Sequence, residues 1–162
     1  MARDATDFRT GRHVVFRLHV HVVLVTKYRR GVMTDRVWNL LQEVAAEVCE
    51  RHDVLITAFD GETDHIHLLL DYPPKVSLSV LIGSIKTNTS RRIREQGWPE
   101  ITKALWGDHF WSPSYCAVST GGAALDVVKR YVENQREPSR RQGRPSAEQT
   151  LTPALTDGVR RA

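Results

Sequence analysis

The chain has 162 residues, 41% of them hydrophobic, with a formal charge of +4. This is enough for one compact domain with a real core plus a tail, and the mild basicity permits a nucleic-acid partner without establishing one. Cys49 and Cys116 are far apart with no CxxC spacing, which argues against a disulfide framework or a cysteine zinc site.

No stretch approaches the ~20 apolar residues of a membrane span. The charged opening MARDATDFRTGRH lacks the apolar centre of a signal peptide, so a cytoplasmic location is expected.

Residues 1–12 read as a loose leader. His13 to Lys27 (HVVFRLHVHVVLVTK) is rich in β-branched residues and reads as one long strand, buried on both faces for part of its length. Thr34 or Asp35 is placed to cap a helix in which Val37, Leu40, Leu41, Val44, Ala45 and Val48 recur at helical spacing, ending near Arg51. Val54–Phe59 reads as a strand, Asp60-Gly61 as a turn, and His65–Tyr72 as the partner strand of a hairpin, stopped by Pro73-Pro74.

Ser77 is placed to cap a second helix running to Arg94. Residues 97–112 carry Trp98, Trp106, Phe110 and Trp111 among Gly, Pro and Asp, and read as an ordered aromatic loop. Tyr115–Ser119 is a last short strand. Gly121-Gly122 breaks the chain before a final helix over Ala124–Gln135. From Pro138 the composition turns to Arg, Ser, Gln, Pro and Gly, which cannot bury much surface.

The domain expected is thus 13–137, with 138–162 a basic, disordered tail. The fold class is α+β. The order β-α-β-β-α-β is the ferredoxin-like, RRM-like antiparallel pattern, with an additional C-terminal helix. In that topology the first and third strands lie side by side at the sheet centre. His21 and the pair His65/His67 then fall on neighbouring strands.

Several residues carry chemistry in this pattern. His65 and His67, two apart on a strand, share one face and lie roughly 7 Å apart along it, so both can turn to one ion. The same spacing also suits two histidines on a half-exposed sheet face. His19-Val20-His21 is a second such pair and a rival site, though a supporting role for His21 is favoured. Asp64 can orient a histidine ligand or simply follow the turn.

Tyr131 and Gln135, at i and i+4, share a helical face. A tyrosine hydroxyl needs a nearby cation or base to act as a nucleophile, and a Gln carbonyl is an acceptable ligand for Mg²⁺ or Mn²⁺. A core role for Tyr131 fits the neighbouring valines equally well. The cations Lys27, Arg29, Arg30, Lys86, Arg91 and Arg92, with Tyr28 and Trp111 as stacking surfaces, are the candidate DNA contacts. The alternatives are a solvated helix face and a closed core.

The chain resembles the small single-tyrosine HUH transposases of insertion sequences, the IS200-like family. The matching segments are TKYRR at 26–30, DHIHLLL at 64–70, the helix SVLIGSIKTNTSRRIR at 79–94, FWSPSY at 110–115 and VVKRYVENQ at 127–135. Their order and spacing agree from about His13 to Gln135. The resemblance implies that His65, His67 and Gln135 hold a divalent metal, Mg²⁺ or Mn²⁺, and that Tyr131 is the catalytic nucleophile.

It further implies a homodimer in which the tyrosine helix of one subunit can complete the site of the other. The implied substrate is single-stranded DNA with subterminal hairpins, cut and rejoined through a 5′-phosphotyrosine. Gly121 and Gly122 would be the hinge of that helix. Two other readings remain at this point. One is a non-cutting single-stranded nucleic-acid or hairpin-binding module, which lacks the sequence of an RNA-recognition strand here. The other is a replication or conjugation nickase with the same chemistry, whose chains are usually longer.

Overall fold

The computed structural model describes residues 8–105, 107 and 109–119. Its centre is an antiparallel sheet of four strands, β3 (His19–Val25), β4 (Leu55–Gly61), β5 (His65–Asp71) and β6 (Cys116–Ser119), in the order β4-β5-β3-β6. Helices α1 (Asp35–Arg51) and α2 (Leu78–Glu95) follow β3 and β5, and α3 (Pro99–Thr102) is a single short turn. This is the ferredoxin-like arrangement expected from the element order, with the first and third long strands adjacent.

Twofold alternation of side chains explains why one sheet face takes the helices. Val20, Val22 and Leu24 of β3 and Ile66, Leu68 and Leu70 of β5 join Leu41, Ala45, Val48, Leu81, Ile82 and Ile85 of the helices in one buried core. On the opposite face, Val23, Val25 and Cys116 form a small separate cluster. His19, His21, His65 and His67 hold the positions of this same parity.

Several boundaries differ from the sequence reading. The stretch His13–Lys27 is two strands, not one. β2 (Val14–Phe16) pairs back on β1 (Arg9–Gly11), inside the segment read as a loose leader. Arg9 explains why that segment is held: its guanidinium donates to the Asp71 carboxylate at 3.1 Å and to the Asp53 carboxylate at 3.0 Å, fastening the hairpin to the far end of the sheet.

The β4–β5 turn falls at Glu62–Asp64 rather than at Asp60-Gly61. Glu62 N–H donates to the His65 carbonyl at 3.0 Å, and a side chain at Gly61 would meet that same carbonyl oxygen at 2.2 Å. Glycine at 61 therefore lets β4 run close against the start of β5. Thr34 and Ser77 occupy the N-cap positions of α1 and α2, but neither side chain caps the helix. The Thr34 hydroxyl instead donates to Glu100, and that of Ser77 meets Ser79.

Trp111 was expected to present a stacking surface, and the fold corrects this. The residue is 5% exposed, its backbone pairs with that of Thr26, and its indole N–H donates to the Thr89 hydroxyl at 2.9 Å. With the fully buried Phe110 it ties the aromatic loop to α2 and closes the core. Tyr131, Gln135, Gly121, Gly122 and the helix expected to carry them lie outside the described residues, as does Trp106. Trp111→Ala should lower unfolding stability by about 3–5 kcal/mol, read from urea midpoints. A surface aromatic would leave the midpoint almost unmoved.

Candidate functional site

The register of β3 on β5 builds the site. Val25 pairs with His65, Val23 with His67, and His21 with Leu69, so His21 is a diagonal neighbour of His67 on the same face. His67 Nδ1 and His21 Nε2 are 3.1 Å apart, and their ring centroids are 5.2 Å apart. The His65 and His67 rings stand edge to face at 4.9 Å between centroids. His65 Nδ1 donates to Asp64 Oδ1 at 2.7 Å.

Both Nδ1 atoms are therefore engaged, which leaves the Nε2 atoms to act as ligands. A carboxylate on Nδ1–H fixes the tautomer that puts a lone pair on Nε2. For His67 the same outcome holds when its Nδ1–H donates to His21. This donor set, two neutral imidazoles on one face with their other nitrogens held, suits a divalent transition ion completed by an oxygen ligand. His19 does not join it. That ring lies at the opposite end of β3, 3.7 Å from the Asp71 carboxylate.

Asp64 is anchored twice over. The Thr26 N–H donates to its backbone carbonyl at 2.9 Å, and the Thr26 hydroxyl lies 3.1 Å from the same oxygen. Its carboxylate takes His65 on one oxygen and the Arg29 Nε–H on the other. Burial pushes the Asp64 carboxyl up, but hydrogen bonds from His65 and Arg29, with the charge of Arg29, outweigh it and hold the group below the usual range.

Sequence reasoning missed Glu62, whose carboxylate comes within 4.8 Å of the ligand atoms of Asp64 and His65. The turn it occupies was placed too early, so nothing in the sequence singled it out. Because both Asp64 oxygens are already occupied by His65 and Arg29, Asp64 is suited to orienting His65 rather than to binding an ion. The exposed Glu62 is the free carboxylate of that group.

The basic residues separate into different roles. Tyr28 is 67% exposed, with Lys27 Nζ 5.2 Å from its ring centroid, and Arg30 is exposed beside it. Arg29 points inward to Asp64 rather than to solvent. Lys86 Nζ donates to the carbonyls of Ser112 at 2.8 Å and Pro113 at 3.1 Å, and burial pushes its pKa down. Arg92 turns towards α1, meeting Glu47 at 3.2 Å and Glu43 at 3.6 Å.

What remains is a cleft of about 550 Å³ in which Lys27, Arg91, Arg94 and His109 are joined by the hydroxyls of Thr87 and Ser90. Backbone bonds from Lys27 to Phe110 and from Ser112 to Val25 set this cleft beside the end of β3. Among the described residues no helix is long and apolar enough to cross a membrane.

The family model described as "Transposase IS200 like" matches residues 14–135. The chain belongs to that family. The ISDra2 transposase TnpA of Deinococcus radiodurans is 25% identical over 131 residues, covering 81% of this chain and 93% of the relative. The transposase for insertion sequence element IS200 of Salmonella typhimurium is 28% identical over 131 residues, 81% of this chain and 85% of the relative.

Among solved structures, a putative transposase from Deinococcus radiodurans superposes with a TM-score of 0.72 at 27% identity, covering 80% of this chain and 99% of that one. A REP-associated tyrosine transposase bound to a REP hairpin shares the fold, with a TM-score of 0.51 at 14% identity, over 78% of this chain and 67% of that one. Membership of this transposase family implies DNA strand cleavage and transfer.

The two linked imidazoles make a prediction for the metal-free protein. Burial lowers the pKa of His21, and burial followed by the charges of His65 and His21 lowers that of His67. Below their ordinary value of about 6.5 the unfolded chain then binds more protons than the folded one. The contribution is fully present above that pH and is lost as pH falls through the folded values. With chelator present, urea midpoints should drop on acidification from neutral pH, and His67→Gln should make the drop shallower.

Proposed function

We propose that this protein cleaves and rejoins single-stranded DNA at the ends of an insertion sequence, through a covalent 5′-phosphotyrosine on Tyr131. The observation that carries this reading is the pair His65/His67, each with Nδ1 held and Nε2 left to bind. A divalent cation, Mg²⁺ or Mn²⁺, held by His65, His67 and Gln135 would supply Lewis-acid polarisation of the scissile phosphate. Asp64 and His21 keep the two imidazoles turned to the site and in the ligand tautomer.

Tyr131 gives up its phenolic proton and attacks phosphorus in line. The bond to the 3′ oxygen breaks, that oxygen gains a proton and leaves as a 3′-hydroxyl, and the 5′-phosphate stays on the tyrosine. A 3′-hydroxyl from another strand reverses the step and joins new ends. The phosphodiester energy is conserved, so no nucleotide is consumed.

The catalytic domain in this reading is 13–137, acting as a homodimer, with Gly121-Gly122 the hinge that moves the tyrosine helix. The substrate is single-stranded DNA with subterminal hairpins, in keeping with the hairpin bound by the fold neighbour. Lys27, Arg91 and Arg94 of the basic cleft track its phosphates, and exposed Tyr28 stacks on an unpaired base.

The decisive experiment mixes the protein with labelled single strands spanning the DNA that flanks its gene, with Mg²⁺ or Mn²⁺, and looks for label on protein in denaturing gels. Wild type should form an adduct. Tyr131→Phe should form none while still binding the strand, and His65→Ala or His67→Ala should slow cleavage by roughly 100-fold or more. An adduct that persists in Tyr131→Phe refutes the mechanism, and hairpin binding with no adduct points to a non-cutting module.

The cleft has its own test in the salt dependence of binding. Arg91→Ala should reduce the slope of log affinity against log salt by about 0.7, the share of one phosphate contact on a single strand. Arg92→Ala, which loses only contacts to α1, should leave the slope as it was.

A further inference from the structure

Arg29 belongs to a run, TKYRR, whose composition suggests a phosphate patch. Its position is different. The side chain is 11% exposed, its Nε–H is spent on Asp64 Oδ2, and Asp64 Oδ1 in turn accepts from His65 Nδ1. A continuous chain of two hydrogen bonds thus runs from a permanently charged guanidinium to the ring of a proposed ligand.

Two further observations set this chain apart from an ordinary ion pair. Tyr28 and Arg29 both have left-handed backbones, with φ of 58° and 54°, although neither is glycine. Such residues are uncommon, and two in succession persist only where the surroundings over-determine them, as at functional sites. The turn is held by Arg29 N–H donating to the Thr26 carbonyl at 2.9 Å, and it puts Tyr28 outside and Arg29 inside. In addition, among the described residues, Arg29 Nη1 is buried with no hydrogen-bond partner. This guanidinium is reached through a left-handed backbone that places its Nε on Asp64.

We infer that Arg29 is a positioning residue of the histidine centre, holding Asp64 in the rotamer that locks His65 as the Nδ1–H tautomer with Nε2 facing the site. This rests on the proposed metal role of His65 and His67. Asp64 cannot do the task alone. Freed from Arg29, its carboxylate can rotate towards solvent, and His65 can then exchange tautomers. Lysine is a poor substitute, because a flexible point charge lacks the planar fork that fixes a carboxylate's orientation.

The test uses the full chain with two readouts. Long-range ¹H–¹⁵N NMR spectra of the metal-free protein report the tautomer of His65. Calorimetric titration with Mn²⁺ reports affinity. Wild type should show one tautomer, Nδ1–H. Arg29→Gln should show a mixture and bind Mn²⁺ about 10–100-fold more weakly, the usual effect of removing a partner of a ligand. Arg29→Lys should fall between, and Arg30→Gln, changing an exposed neighbour, should match wild type in both.

Asp64→Asn should reproduce the Arg29→Gln tautomer mixture. A wild-type tautomer and wild-type affinity in Arg29→Gln overturn the inference, as does an equal loss in Arg30→Gln. Should Arg29→Gln fail to fold, Arg29→Lys decides alone: wild-type behaviour there is the contrary result. A wild type that binds no Mn²⁺ yet holds the single tautomer, lost in Arg29→Gln, sinks the metal reading and leaves the positioning role standing.

Discussion

Antiparallel pairing of β3 with β5 sets Val23 opposite His67 and Val25 opposite His65, and the side-chain alternation of both strands then does the rest. Even-numbered residues face α1 and α2 and form the core. Odd-numbered ones form the face that carries the imidazoles. A slip of one residue would send the histidines into the core and valines and leucines to the other face, losing both at once. The hydrophobic core is therefore also the device that fixes the histidine register. Val22, Leu24, Ile66 and Leu68, all fully buried, leave the two strands no other way to pair.

Electrostatics refine what the register sets. Burying imidazoles and carboxylates is unfavourable unless each is hydrogen-bonded. Here the groups satisfy one another: His21 with His67, His65 with Asp64, Asp64 with Arg29. At the other end of the sheet, Arg9 with Asp71 and Asp53 makes a separate network that anchors the N-terminal hairpin. The two networks share strands β3 and β5 but no residue, and the His19 ring lies 3.7 Å from Asp71 of the second.

The sequence announced the elements well because their signals are local. Valine alternation, helical periodicity in 37–48 and the prolines after Tyr72 each mark an element by what a few neighbouring residues must do. Direction was not legible in the same way. Lys27, Arg29, Lys86, Arg91 and Arg92 look alike in sequence, yet one pins an aspartate, one fastens a loop and one braces α1. Which way a cation turns depends on partners that are distant in the chain, 35 residues away for Arg29 and 45 for Arg92. The left-handed turn at Tyr28-Arg29 was hidden for another reason: no glycine or asparagine marks it. Trp111 was misread because aromatic residues near basic ones fit stacking and packing equally, and only burial decides.

Thr26 is where these layers meet. Fully buried, it receives the end of β3, hydrogen-bonds the Asp64 backbone through its N–H, and bridges to Trp111. Lys27 beyond it is bonded to Phe110, and Ser112 returns a bond to Val25. The wall of the basic cleft and the backbone beneath His65 are thus joined by ladder-type bonds rather than by mobile side chains. Their separation is set by backbone geometry, which tolerates little change.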